Sequence, residues 1–296
     1  VVREKEDGFL KISRKYSMKL NYVISESTQS ALLEIIETAY RSIPSNFFPI
    51  LYKNQVIGCI SPSCLMFTQE LLDQDQNEFF FIQVTKDALI LSDASSQDLS
   101  LELKILAEFL RTKQFFSHWR NENFSFLRED SHEVFQLERA AFRGFGFMSY
   151  AAHINGFTEK GLLWLATRSD SKTVDPGLID NMTAGGISAL ETVQTCAIRE
   201  LWEEAGVTSN QLKNLYPIGS LEIRRPLPPN EVHHERIFTF DLIVADEWTP
   251  INNDGEVHHF QQYDLEEIVN LIFTDKMTQD AAVVTADFIL RHSKSA

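Results

Sequence analysis

Three observations predict an α/β protein in two parts. The chain has 296 residues, 44% of them hydrophobic, and runs of helical spacing alternate with short strand-like runs. Residues 1–130 mix helices with short hairpins and read as a small α+β domain. Residues 131–296 read as a larger α/β domain whose strands surround one strong helix.

The elements follow in order. Ala31, Leu32, Ile35, Ile36 and Ala39 recur at helical spacing within Ser25–Arg41. The prolines of SIPSNFFP then stop that helix. Leu51–Ile60 reads as a hairpin around Lys53-Asn54, and Ser63–Leu72 as a helix behind Pro62. Phe79–Val84 and Ala88–Leu91 read as strands. Leu99–Leu110 is amphipathic, with Leu101, Leu103, Ile105, Leu106 and Leu110 as core candidates. Polar residues cluster over Asn123–His132 and set the domain boundary there. Phe145–Asn155 and Leu162–Arg168 are the next strands. A loop rich in Asp, Ser, Lys, Pro and Gly follows over Ser169–Asp180, and then a helix over Ala189–Ala205. Tyr216–Arg224 and Arg236–Val244 are later strands. Asp264–Phe273 and Gln279–Arg291 are closing helices.

Composition excludes several classes. A net charge of -15 argues against a nucleic-acid surface, which needs Lys and Arg to neutralise phosphates. Local cations and a metal can still hold a small phosphorylated ligand in an acidic protein. Three cysteines, Cys59, Cys64 and Cys196, form no disulfide framework and point to a reducing, cytoplasmic setting. Cys59 and Cys64 read as core thiols, since a zinc site would need a second pair. No apolar run reaches membrane-span length. VVREKEDGFLKISRKYS has charges without a following apolar stretch, so it does not read as a secretory signal.

The chemistry concentrates in GGISALETVQTCAIRELWEEAGV, Gly185 to Val207. Glu200, Glu203 and Glu204 fall at i, i+3 and i+4, so they share one helix face. They sit in the last turns before Gly206, a C-cap candidate, where the helix dipole disfavours anions by roughly 0.3–1 kcal/mol each. An exposed acidic face is the commonplace alternative for such a charge run. Three carboxylates at that end ask for a compensating cation, and all-oxygen ligands favour a hard one such as Mg²⁺. Ser188 and Glu191 have capping-box spacing and are expected to start the helix. Arg199 lies two turns beyond Glu191 and can pair with it. Gly185 lets the backbone approach a metal closely. Ala197 and Leu201 share another face and should pack on a sheet, and Trp202 is expected to pack as well.

The same stretch fills every specified position of the Nudix box. These are Gly185, Glu191, Arg199, Glu200, Leu201, Glu203, Glu204, Gly206 and Val207. The chain therefore resembles the Nudix hydrolase superfamily. The resemblance implies an α/β/α sandwich, a mixed sheet between helices, for the second domain. It also implies Mg²⁺ held by Glu200, Glu203 and Glu204 with the Gly185 carbonyl, Mn²⁺ being able to substitute. Glu256, in Asp254-Gly255-Glu256-Val257, resembles the later acidic residue of many members. Glu203, Glu204 and Glu256 are then the candidates for the catalytic base.

WRNE (Trp119–Glu122), Phe142–Phe157 and Leu163–Gly186 are similar to a narrower branch, the thiamine-pyrophosphokinase-related Nudix proteins. In that branch an additional N-terminal domain precedes the Nudix domain. This implies a diphosphatase acting on thiamine diphosphate or its oxidised and damaged analogues. ADP-ribose or another nucleoside diphosphate derivative is the alternative substrate, and a non-catalytic metabolite-binding module is the alternative of another class. Within these segments Arg168 and Lys172 are the cations placed to meet a diphosphate. Asp180 and Asn181 are expected to shape the loop entering the box. His153 and Asn155 are expected to be structural, and His233, His234, His258 and His259 exposed or at a rim. A small-molecule diphosphate is the expected partner. A homodimer is compatible with the sequence but not read from it.

Overall fold

The computed structural model describes residues 19–75, 78–128, 130–172 and 174–295. The segment VVREKEDGFLKISRKYS lies outside the described residues. In chain order the elements are β1 (Tyr22–Ile24), α1 (Glu26–Thr38), β2 (Phe48–Tyr52), β3 (Gln55–Ile60), α2 (Pro62–Gln74), β4 (Ile82–Val84), β5 (Leu89–Leu91) and α3 (Ser96–Thr112). Then come β6 (Asn123–Leu127), β7 (Glu133–Glu138), α4 (Arg139–Gly144), β8 (Ser149–Thr158), β9 (Leu163–Arg168), β10 (Ile179–Asp180), β11 (Thr183–Gly186) and α5 (Val193–Ala205). The chain closes with β12 (Leu215–Leu227), β13 (Glu231–Val244), β14 (Val257–Tyr263), α6 (Leu265–Phe273), α7 (Gln279–His292) and β15 (Ser293–Ser295).

The second half is an α/β/α sandwich around a seven-stranded mixed sheet. Its main path runs β10-β9-β8-β13-β12, with β11 on β8 and β14 on β9. β8 and β13 pair in parallel and their other partners are antiparallel. Side chains alternate between faces along each strand. Ala152, Ile154, Phe240, Leu242 and Val244 join Ala197, Leu201 and Ala205 of α5 in one core. Phe157, Leu163 and Leu165 join Leu32 of α1, Ile268 of α6 and Phe288 of α7 in another. The packing expected of Ala197 and Leu201 is thus found.

The first half has a four-stranded sheet, order β3-β2-β5-β4, and a separate β6-β7 hairpin. Lys53 and Asn54 turn the β2-β3 hairpin with φ of 49° and 63°. Ser61, Ser95 and Ser25 cap α2, α3 and α1, each accepting a backbone N–H from three residues on. Cys59 and Cys64 are buried, and burial pushes each thiol up to about 11, as core thiols require.

Some boundaries differ from expectation. The division expected at residue 130 falls inside the β6-β7 hairpin, whose Phe124, Phe126, Val134, Phe135 and Leu137 share one core with Ile50 and Leu103. That core runs on through Phe142, Phe145 and Phe147, so the strand expected from Phe145 begins only at Ser149. Residues 19–41 belong instead to the sandwich. β1 pairs in parallel with β15, Tyr22 Oη donates to the Gly161 carbonyl at 2.7 Å, and α1 packs on α7. From residue 19 the chain therefore runs along the sandwich, then builds the N-terminal unit, and returns. Leu101 is 59% exposed, facing away from the side of α3 that carries Leu99, Leu103, Leu106 and Leu110.

Candidate active site

The helix that carries the acidic cluster starts later than its sequence suggests. Thr192 is the N-cap of α5 and exchanges hydrogen bonds with Thr195. Ser188 and Glu191 do not start the helix. They close the preceding loop, with Ser188 N–H donating to Glu191 Oε2 at 3.3 Å. Glu191 also accepts from Arg199 at 2.8 and 3.0 Å, the pairing its spacing suggested. Gly206 ends α5 in the left-handed conformation, φ 65°, as a C-cap.

Arg199 binds the cluster together. Its Nη1 donates to Glu200 Oε1 at 2.6 Å and to Glu203 Oε2 at 3.0 Å. Glu200 and Glu204 are buried, while Glu203 is half-buried. Glu204 accepts the Ala184 N–H at 3.0 Å. Burial first, and the charge of Glu200 next, push Glu204 up to about 8, and Glu200 is also raised, chiefly by burial. Gly185 has no room for a side chain, because a Cβ there would lie 1.8 Å from Glu200 Oε1. The glycine is required by a close approach.

The loop before β14 supplies the remaining acids. Glu256 and Asp254 bring ligand oxygens within 4.8 Å of one another and of Glu204. Asp254 was not expected here, although its place two residues before Glu256 was the signal that could have found it.

Arg168 and Lys172 both line the same cavity, of about 270 Å³. Neither sits on a solvated loop, and each already has a carboxylate. Arg168 donates to Asp180 at 2.8 Å and to the Val174 carbonyl, and Lys172 Nζ pairs with Glu256. Burial is the main cause of the lowered pKa of Lys172, opposed by Glu204.

Two expectations about neighbours are corrected. Trp202 is 60% exposed, because it lies on the face of α5 turned away from the sheet. His233 is buried against Asp280 at 3.0 Å, with Arg225 on the same carboxylate, rather than at a rim. Asn155 serves structure, donating to Asp241 at 3.1 Å, while His153, whose Nδ1 lies 2.8 Å from Asn181 Oδ1, also lines the cavity. The N-terminal unit also reaches the cavity with Arg120, Glu122, Arg139 and Arg143, and tertiary folding alone puts them there.

A mixed sheet lies between helices, with the Gly185–Val207 loop and helix packed on one face and the Glu200 and Glu203 carboxylates turned to a cavity. Residues 147–288 match the family described as NUDIX domain, and this match together with the Nudix hydrolase relatives supports a pyrophosphatase enzyme. That family acts on nucleoside diphosphate derivatives and generally uses divalent metals such as Mg²⁺. Nudix hydrolase 24, chloroplastic, of Arabidopsis thaliana is 26% identical over 280 residues, covering 90% of this chain and 74% of that protein. Nudix hydrolase 20, chloroplastic, of the same plant is 32% identical over 165 residues, 53% of this chain and 43% of that protein. Among solved structures, DR0079 from Deinococcus radiodurans matches 55% of this chain and 98% of its own, at 22% identity and a TM-score of 0.45. No helix among the described residues is long and apolar enough to cross a membrane.

Proposed function

We propose that the protein hydrolyses a phosphoanhydride bond in a Mg²⁺-dependent reaction, acting on thiamine diphosphate or its oxidised or damaged analogues. Water adds to phosphorus, the bridging P–O bond breaks, and an organic monophosphate and inorganic phosphate leave. The observation that carries this reading is the gathering of Glu200, Glu203 and Glu256 on one cavity with Arg168, Lys172 and Arg199, with Glu204 directly behind. The substrate rests on the similarity of Trp119–Glu122, Phe142–Phe157 and Leu163–Gly186 to the thiamine-pyrophosphokinase-related branch.

The residues suit a hard divalent cation. The donors are all oxygen, they carry more negative charge than Arg199 alone can neutralise, and Gly185 leaves its neighbourhood clear of a side chain. Glu200, Glu203, Glu204 and the Gly185 carbonyl would hold Mg²⁺, or Mn²⁺ in its place. When bound, the ion supplies the positive charge that offsets the diphosphate and makes phosphorus more open to attack.

The protein's own groups do the rest. Arg199 restrains Glu200 and Glu203, and is itself restrained by Glu191. Glu203 and Glu256 open onto the cavity and are the carboxylates placed to take the proton of the attacking water. Glu204 does not line that cavity and acts as a ligand from behind. Lys172 and Arg168 set Glu256 and Asp180 in place and retain N–H donors for phosphate oxygens.

A hydrolysis panel with Mg²⁺, its products separated by chromatography so that organic monophosphates are counted as well as inorganic phosphate, tests the reading. It should contain thiamine diphosphate, oxidised thiamine diphosphates, ADP-ribose and dinucleotides. Fastest turnover is expected on a thiamine compound. Much faster cleavage of ADP-ribose would overturn the substrate, and binding without any cleavage would overturn hydrolysis.

A further inference from the structure

The N-terminal unit contributes three guanidinium groups to the cavity, those of Arg120, Arg139 and Arg143. One of them is paired: Arg139 meets Glu122 at 2.8 Å, whereas Arg143 acts on Glu231, and Arg120 on Glu122, through charge at longer range without a hydrogen bond. The other long cations of the cavity are also matched: Arg168 by Asp180, Lys172 by Glu256, Arg225 by Asp280, and Arg199 by three glutamates. Among the described residues, neither the Arg120 nor the Arg143 guanidinium has a hydrogen bond or ion pair, and Arg120 in addition feels the like charges of Arg139 and Arg168.

The backbone beneath Arg120 is nevertheless firmly held. The buried carboxylate of Glu138 accepts from Arg120 N–H at 2.9 Å and from Glu122 N–H at 3.0 Å, closing the turn on both sides of Asn121. The Trp119 indole donates to Asn121 Oδ1 at 3.1 Å, and Arg111 lies over the Trp119 ring. The same loop is tied to the box. Ser188 Oγ donates to Glu122 Oε1 at 2.6 Å, and Ala189 N–H to the Asn123 carbonyl at 2.7 Å.

A cation placed among cations is unfavourable until an anion joins it. Arg120 is exposed at the mouth of this cavity, and partial desolvation, then the charges of Arg139 and Arg168, weaken its hold on its proton, with Glu122 and Glu138 opposing. Phosphate oxygens match the planar fork of a guanidinium in geometry and charge.

We propose that Arg120 binds a phosphoryl group of the substrate, so that the N-terminal unit supplies one wall of the diphosphate site. The proposal rests on the diphosphate reading above. The NUDIX domain over residues 147–288 lacks this cation, and the N-terminal unit is part of the active site rather than a scaffold beside it.

The test uses the full chain with Arg120→Ala, Arg120→Lys and, as a charge-matched control, Arg128→Ala. Arg128 belongs to the same unit, pairs with Asp130 and does not line the cavity. Calorimetric binding of inorganic pyrophosphate, with and without Mg²⁺, is measured beside steady-state kinetics. Arg120→Ala is expected to weaken pyrophosphate binding about tenfold or more, as loss of a hydrogen-bonded charge implies, and to raise KM more than it lowers kcat. Arg120→Lys should recover part of the binding, and Arg128→Ala should match the parent. If the parent binds pyrophosphate through Arg120 but cleaves nothing, hydrolysis fails and this proposal stands. Pyrophosphate binding that Arg120→Ala leaves intact, or that the parent lacks in both conditions, overturns it.

Discussion

Buried carboxylates do opposite work in the two halves of the molecule. In the N-terminal unit Glu102 accepts the N–H groups of Phe80 and Phe81, and Glu138 those of Arg120 and Glu122. Each bridges two backbone donors of a loop and so fixes its course. In the box, Glu204 has one backbone donor and a carboxylate neighbour, and Glu200 leans on Arg199 and on Gly185. The first arrangement is complete within the protein. The second leaves more carboxylate charge than Arg199 offsets, which the cation proposed above would balance, and that is how a ligand site differs from a structural buried charge.

The largest expected effect is on turnover. Glu203→Gln should lower kcat by about 10²–10³-fold, the range for removing one charge-stabilising group, with the folded structure retained by circular dichroism. A rate near that of the parent would place the acidic cluster with the structural carboxylates. Gly185→Ala comes next. The added Cβ must displace the Glu200 carboxylate, and Mg²⁺ affinity should fall roughly 10–100-fold, measured by titrating activity and by calorimetry.

Stability separates the two regions in sign. Glu204 is raised from 4.5 to about 8 in the fold. Below pH 4.5 it is protonated folded and unfolded alike. As pH climbs towards 8, the unfolded chain gives up a proton that the folded chain keeps, so metal-free stability falls. Glu204→Gln should remove that fall, worth on the order of a few kcal/mol at pH 9, as read from urea unfolding with a chelator present. Glu102→Gln should do the reverse, destabilising by about 1–3 kcal/mol while leaving kcat unchanged. Equal signs for the two variants would erase the distinction drawn between the regions.

The site was legible wherever its parts are close in sequence. Glu200, Glu203 and Glu204 share a face, and Arg199 reaches Glu203, because helix pitch brings residues three and four apart together. Glu191 reaches Arg199 from the short loop just before the helix. The start of α5 was misjudged because Ser188 and Glu191 have the right spacing for a capping box. Leu190, with φ of 69°, cannot continue a helix, and Thr192 with Thr195 does the capping instead.

Short-range pattern alone determined the acidic helix face, its glycine terminus, the amphipathic helices and the hairpin at Lys53-Asn54, because each is set by backbone geometry within a few bonds. Only the folded chain decided that residues 19–41 join the C-terminal layer, that the β6-β7 hairpin leans on the box, and that Arg120 faces the cavity unmatched. Those meetings depend on which distant surfaces bury one another, a property of the whole packed molecule that no local spacing carries.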